Sequence, residues 1–184
     1  MKDMEKKIVY ELEAYTIDLA KIDEGESIVF NFMLDDTFFS ALEQTEIESG
    51  SVKAQLNVSK KSSTYEFVFD FNGFVQVPCD RCLAEVKYPV EAYNELFVKL
   101  GEKTEEVDDD LIFVSGEERK LNVAWLMYEY ISLSLPIMRS HEEGECDDQM
   151  LILLDQHNAE NVADDDEQQL DPRWNELRKI LDNN

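Results

Sequence analysis

Basic residues, histidine and cysteine are all scarce in this chain of 184 residues. Lys and Arg together number 17 against 42 Asp and Glu, which leaves a formal net charge of −25. A field of that sign repels bulk nucleic acid and favours solubility or basic partners, so DNA is not an expected ligand. Three cysteines is an odd count, and two of them, Cys79 and Cys82, stand close together. That argues against a secreted disulfide scaffold and for reduced thiols or a metal in a cytosol. Long apolar runs are missing too. The stretch Val123 to Leu135 is too short to span a bilayer and carries Glu129. The opening Met1-Lys2-Asp3-Met4-Glu5-Lys6-Lys7 is charged and leads into no apolar signal core. Neither GxxxxGK[ST], GxGxxG nor HExxH occurs. Carboxylates are abundant, but nothing singles out a pair for acid–base work. These absences together predict a soluble, cytoplasmic, non-catalytic protein with no membrane contact.

What is present suffices for a core. Apolar residues make up 43% of the chain, with ten Phe and seven Tyr, a content that favours strands. Charge is unevenly spread. Between Ser51 and Leu100, six acids (Glu66, Asp70, Asp80, Glu85, Glu91, Glu95) meet six bases (Lys53, Lys60, Lys61, Arg81, Lys87, Lys99). This neutral block is the part able to approach RNA, with Lys60, Lys61, Arg81 and Lys87 as candidate binding residues. A sheet's lower demand for charge explains the neutrality equally well.

The periodicities predict an α+β fold: an antiparallel β-meander packed by an apolar helix, with acidic loops and a short C-terminal helix. Glu26 to Leu34 reads as a strand, and Asp35 or Asp36 can cap a helix from about Thr37 to Gln44. Ser49-Gly50 signals a turn. Val52, Ala54, Leu56 and Val58 alternate with polar residues as in a half-buried strand. Lys60 to Ser63 turns into a return strand, Tyr65 to Phe71, and Asn72-Gly73 predicts a tight connection into Phe74 to Val77. The spacing of Phe67, Phe69 and Phe71 sends them to the core rather than to a base-stacking face. Val86 to Leu100 is a further strand, Glu102 to Asp110 an acidic loop, and Leu111 to Val114 a brief strand. Asn122 caps the apolar helix Val123 to Leu135, which Pro136 stops. The domain is expected to span residues 1–140, followed by a flexible acidic loop over 141–170. Asp171-Pro172 then starts a short helix, Arg173 to Leu181, in the C-terminal segment 171–184 of the same domain.

Cys79-Asp80-Arg81-Cys82 has the spacing of a metal knuckle, in which two thiolates two residues apart bite one ion. Two further ligands are available in one short loop after the apolar helix, His141 and Cys146. If that helix packs on the sheet, its end can bring the loop to the knuckle. The set Cys79, Cys82, His141, Cys146 would then form a closed zinc site with no open position for catalysis. The competing readings are two reduced thiols in a turn beside an unrelated His and Cys, and a redox dithiol. Redox pairs usually sit at a helix N-terminus, and here a strand follows. A thiol pKa well below the ordinary value would favour the thiol-dependent enzyme.

The string Val75-Gln76-Val77-Pro78-Cys79-Asp80-Arg81-Cys82-Leu83 resembles the xxCxRCL signature of the YceD-like family. Leu133-Ser134-Leu135-Pro136-Ile137, followed by His141 and Cys146, resembles that family's second block. Asp171-Pro172-Arg173-Trp174-Asn175-Glu176-Leu177 resembles its closing DPRFxxL element. The resemblance implies a role in synthesis, processing or stability of the large-subunit (23S) ribosomal RNA, with no known enzyme activity. It also implies partners in the large-subunit precursor, the 23S RNA itself or a basic ribosomal protein. Only Cys79, Arg81, Cys82, His141 and Cys146 inherit a possible site role from it. The acidic stretch between Cys146 and Asp171 departs from the family pattern.

Overall fold

A computed structural model describes residues 12–42, 44 and 46–157 of the chain. They fall into two units, one ending at Cys146 and the other beginning at Asp147. The first unit is built on eight strands. β1 (Thr16–Asp18) and β8 (Lys120–Asn122) make a small antiparallel pair. The remaining six form one sheet in the order β2-β3-β4-β5-β7-β6. Their spans are β2 Ser27–Leu34, β3 Ser49–Lys61, β4 Thr64–Pro78, β5 Glu85–Gly101, β6 Glu105–Asp108 and β7 Leu111–Ser115.

The meander of β2 to β5 is antiparallel, as the short turns predict, but β7 returns parallel to β5, so the sheet is mixed. Two glycine signals were not turns. β4 runs unbroken through Asn72-Gly73, and β3 already begins at Ser49. A Cβ on Gly73 would stand 2.2 Å from Ser51 O, and one on Gly50 would stand 2.8 Å from Phe74 O. Glycine is needed at both positions for close approach of neighbouring backbones rather than for a change of direction. The acidic segment 102–110 is also more ordered than a loop. Glu105–Asp108 pairs with β7 as the sheet's edge strand, with a register shift between Glu106 and Asp108. Carboxylates suit such an edge, because charge discourages pairing with another chain.

Among the described residues, two α-helices pack on the sheet of the first unit. α1 (Asp36–Ala41) is capped by Asp35, whose carboxylate accepts from the N–H groups of Thr37 and Phe38. α2 (Ala124–Ser134) follows Asn122, whose Oδ1 accepts from Ala124 N–H at 2.9 Å. Leu135 is extended ahead of Pro136, where the proline ring disfavours helix. Val52, Leu56, Phe67, Phe69 and Phe71 from the sheet share one buried cluster with Met127, Tyr130 and Ile131 of α2. The rings of Phe69 and Tyr130 meet edge to face, 5.3 Å apart. This core anchors the start of α2, and the chain leaves its far end beside the β4–β5 connection.

In the second unit, α3 (Asp148–Gln156) occupies part of the segment predicted to be a flexible loop. Asp147 caps it, accepting from Met150 N–H at 2.9 Å. The predicted helix Arg173 to Leu181 lies outside the described residues. Among the described residues, no helix is long and apolar enough to cross a membrane.

Candidate metal centre

β4 and β5 pair down to Pro78 and Glu85, and the six residues between them form the knuckle. Pro78 has no N–H to continue the ladder, so the chain turns there. Cys79 N–H donates to Ala84 O and Leu83 N–H donates back to Cys79 O, each at 2.9 Å. Leu83 takes the left-handed conformation (φ 62°), which costs a leucine energy and tightens the turn. Both cysteine side chains are thereby directed into the fold and buried.

The loop that follows α2 is fastened to this turn at several points. Asp80 N–H donates to Arg139 O at 2.7 Å, and the Asp80 carboxylate accepts from Arg139 N–H at 2.6 Å. The Tyr88 hydroxyl, on β5, donates to Ser140 O at 3.0 Å and accepts from Ser140 N–H at 2.8 Å. The Arg81 guanidinium donates to His141 O at 2.5 Å. The His141 ring completes the set through Nε2, 3.0 Å from Glu85 O. A carbonyl only accepts, so Nε2 carries a proton, and Nδ1 is the ring nitrogen that faces the sulfurs.

At the centre, Cys79 Sγ lies 3.9 Å from Cys146 Sγ. His141 Nδ1 lies 3.4 Å from Cys82 Sγ and 4.0 Å from Cys146 Sγ. The four ligand atoms all fall within 4.8 Å of one another, close enough to hold a metal ion. The cysteines form no disulfide. Burial opposes a thiolate at Cys79, but the backbone N–H groups of Cys82, Arg81 and His141, with the His141 ring, outweigh it and lower the pKa. Hydrogen bonding to Cys79 raises the His141 imidazole above its ordinary value, against the effect of burial. Burial, with hydrogen bonds to Cys82 and Cys79, pushes the Cys146 thiol up. The surroundings therefore favour a thiolate at Cys79 and the protonated thiol at Cys146, so a cation binding here would have to displace the Cys146 proton.

The depressed Cys79 thiol does not by itself mark a redox enzyme, because a metal ligand must also be a thiolate. Access separates the two roles. Cys79, Cys82 and Cys146 are each less than 7% exposed, and a β-strand rather than a helix follows the knuckle. Reactive thiols are ordinarily at least partly exposed, whereas these three are buried.

All four residues singled out in the sequence as ligands are thus brought together. The four basic candidates are not. Lys60 and Lys61 lie at the β3–β4 hairpin, with Lys61 paired to Glu66 at 2.6 Å. Arg81 and Lys87 lie at the other end of β4, which at about 3.3 Å per residue is some 45–50 Å long. There Lys87 covers the Phe74 ring at 3.5 Å. Tyr88, Glu85 and Arg139 had no sequence signal as site residues. Their roles run through backbone groups or a distant loop, which no spacing encodes.

The sequence profile of the family described as "Large ribosomal RNA subunit accumulation protein YceD" matches residues 67–181. The chain is also similar to "Uncharacterized protein YlbN" of Bacillus subtilis (strain 168), with 26% identity over 132 residues. That alignment covers 71% of this chain and 73% of the relative. No solved structure matches the chain.

Proposed function

This chain belongs to the YceD family of large ribosomal RNA subunit accumulation proteins, and on that premise we propose that it is a cytoplasmic, non-catalytic factor in synthesis, processing or stability of 23S ribosomal RNA. The observation that carries this reading is the family match, which takes in the knuckle, the loop after α2 and most of the sheet. With a net charge of −25 the protein is poorly suited to grip naked RNA. It is well suited to shield a basic ribosomal protein, or to join a precursor particle through one, until RNA takes that protein over. Any direct RNA contact falls to the neutral block, where Arg81 and Lys87 flank the knuckle and Lys60 and Lys61 tip the hairpin.

The metal at the knuckle is zinc in this reading. Three thiols and an imidazole are a zinc donor set, and Zn–S and Zn–N bonds of about 2.3 and 2.0–2.1 Å imply tetrahedral edges of roughly 3.8 Å (S–S) and 3.6 Å (S–N). The edges of 3.9, 3.4 and 4.0 Å between Cys79, Cys82, Cys146 and His141 fit those values. The Glu85 carbonyl on Nε2 is the outer partner that fixes the imidazole tautomer. With four protein ligands the ion has no open position, so its role is to tie β4, β5 and the post-α2 loop together.

The experiment is deletion of the gene with measurement of the 23S to 16S ratio, alongside co-sedimentation of the tagged full chain with precursor particles. A fall in 23S restored by the wild-type gene, with the protein riding on large-subunit precursors, is expected. An unchanged ratio and no association with precursors or with any basic ribosomal protein overturn the reading.

A further inference from the structure

The outer face of α2 is not explained by the core or by the knuckle. Trp125, Glu129 and Leu133 recur every four residues and so form one stripe along the helix. Trp125 is 48% and Leu133 75% exposed, although the helix packs its other side into the sheet. The Trp125 ring is held in place by stacking on Tyr128, 5.6 Å away and 25° from parallel. A rigid exposed tryptophan and a leucine two turns on are costly to leave in water unless something covers them.

Grooves run along this ridge. One, of 580 Å³, has an apolar floor that includes Leu96, Ile112 and Tyr130. Its charged lining is Glu106, Asp108, Asp109 and Glu129, and no basic residue lines it. Smaller grooves of 270 and 320 Å³ lie along the same helix, and their charged lining is again acidic alone. Two of those smaller-groove carboxylates are already neutralised, Glu46 by Arg139 and Glu105 by Lys103. Among the described residues, the four of the large groove are in no ion pair. Their field is felt nearby: burial first, then Glu129, Glu106 and Asp110, push the Tyr130 phenol up to about 12.

We propose that the α2 ridge and its large groove form the docking surface for a Lys/Arg-rich polypeptide segment that carries an apolar side chain. The apolar residue would pack on Leu133 and the groove floor. The cationic heads would meet Glu106, Asp108, Asp109 and Glu129, and an arginine or lysine could also cover the Trp125 ring. Charge selects this occupant over the others. RNA would bring phosphates to four carboxylates. A second copy of this chain would set the same acidic rim against itself. This inference rests on the reading above, since it gives the basic ribosomal partner a place to bind.

The test uses the full chain with Trp174→Phe, which leaves Trp125 as the only tryptophan. Its fluorescence is titrated with a synthetic peptide of Lys and Arg interspersed with Leu. Two control peptides keep either the charge with Ser for Leu, or the Leu with Glu for Lys and Arg. Saturable movement of the Trp125 emission with the first peptide alone, weakening as salt rises, is expected. Leu133→Glu should weaken binding by about tenfold or more, and Asp108→Asn with Asp109→Asn should weaken it and flatten the salt dependence. Both changes are on the surface, so circular dichroism should show the fold intact. No emission change, equal binding of either control, or full binding by folded Leu133→Glu overturns the proposal. So does a concentration-dependent dimer that Leu133→Glu dissolves, which would make a second copy the occupant. The two readings fail separately. If the peptide binds but the deletion strain keeps its 23S level, the ribosomal role falls. If 23S depends on the protein yet Leu133→Glu complements fully and binds peptide as well as the parent, the surface falls.

Discussion

His141 Nδ1 lies 3.4 Å from Cys82 Sγ, though 59 residues separate them in the chain. The relationship exists because β4 and β5 deliver the knuckle to one end of the sheet while α2, seated on the core, delivers its own end to the same place.

The first prediction concerns the ion. Protein purified without chelator should carry about one zinc per chain by elemental analysis, and Cys79→Ser or Cys82→Ser should carry far less. Because the ligands are shared between two segments, removing zinc with a chelator should cost more than about 2 kcal/mol, or ~4–8 °C in Tm. Metal-free protein with an unchanged melting curve would remove the structural role assigned to the site.

Tyr88 should matter to that same corner without touching the ion. Tyr88→Phe deletes one hydroxyl that serves both the N–H and the C=O of Ser140. The expected cost is about 1–2 kcal/mol, with faster zinc loss to a competing chelator. Urea melts combined with a colorimetric zinc-release assay measure both. Release at the parental rate would mean the loop is held by its other bonds alone.

Gly73→Ala is a sharper test of the sheet. Its Cβ would fall 2.2 Å from Ser51 O and 2.7 Å from Val52 Cα, both backbone atoms that cannot swing aside. A loss of about 2–4 kcal/mol is expected from the forced backbone shift. Gly116→Ala, whose nearest neighbour is Gly101 O at 3.5 Å, is the control and should change little.

Asp35 supplies a pH dependence. Hydrogen bonding from the Thr37 side chain holds its carboxyl below the ordinary range, against the opposing effect of burial and with help from the Phe38 and Thr37 backbone N–H groups. A folded pKa lowered in this way gives stability that is present above the unfolded value of about 3.9 and is lost as pH falls through the folded value. Asp35→Ala should therefore cost about 1 kcal/mol at neutral pH and less in acid. Thermal melts from pH 7 to pH 2 should show the two curves converging. Parallel curves would mean the cap is not worth what its geometry implies.

Much of this protein was legible in one dimension. Alternation in Val52, Ala54, Leu56 and Val58 reported a strand half in water, because a strand's side chains change face at every residue. Asp35 and Asn122 announced their helices because short polar side chains satisfy the orphan N–H groups at a helix start. The two halves of the candidate metal centre were visible as a two-residue spacing and as a His and a Cys in one loop. Glycine misled for a physical reason. Gly50 and Gly73 are small so that backbones can touch, and local sequence does not tell that need from a turn's.

Sequence by itself determined which ligands were available, the sign of the charge, and where several of the strands and helices lie. The three-dimensional fold alone decided that the knuckle and the loop meet, that β7 runs parallel to β5, and that Trp125 and Leu133 are left exposed beside four carboxylates that are in no ion pair among the described residues. Those are relations between segments tens of residues apart. They depend on how the whole core packs, and no local pattern records that.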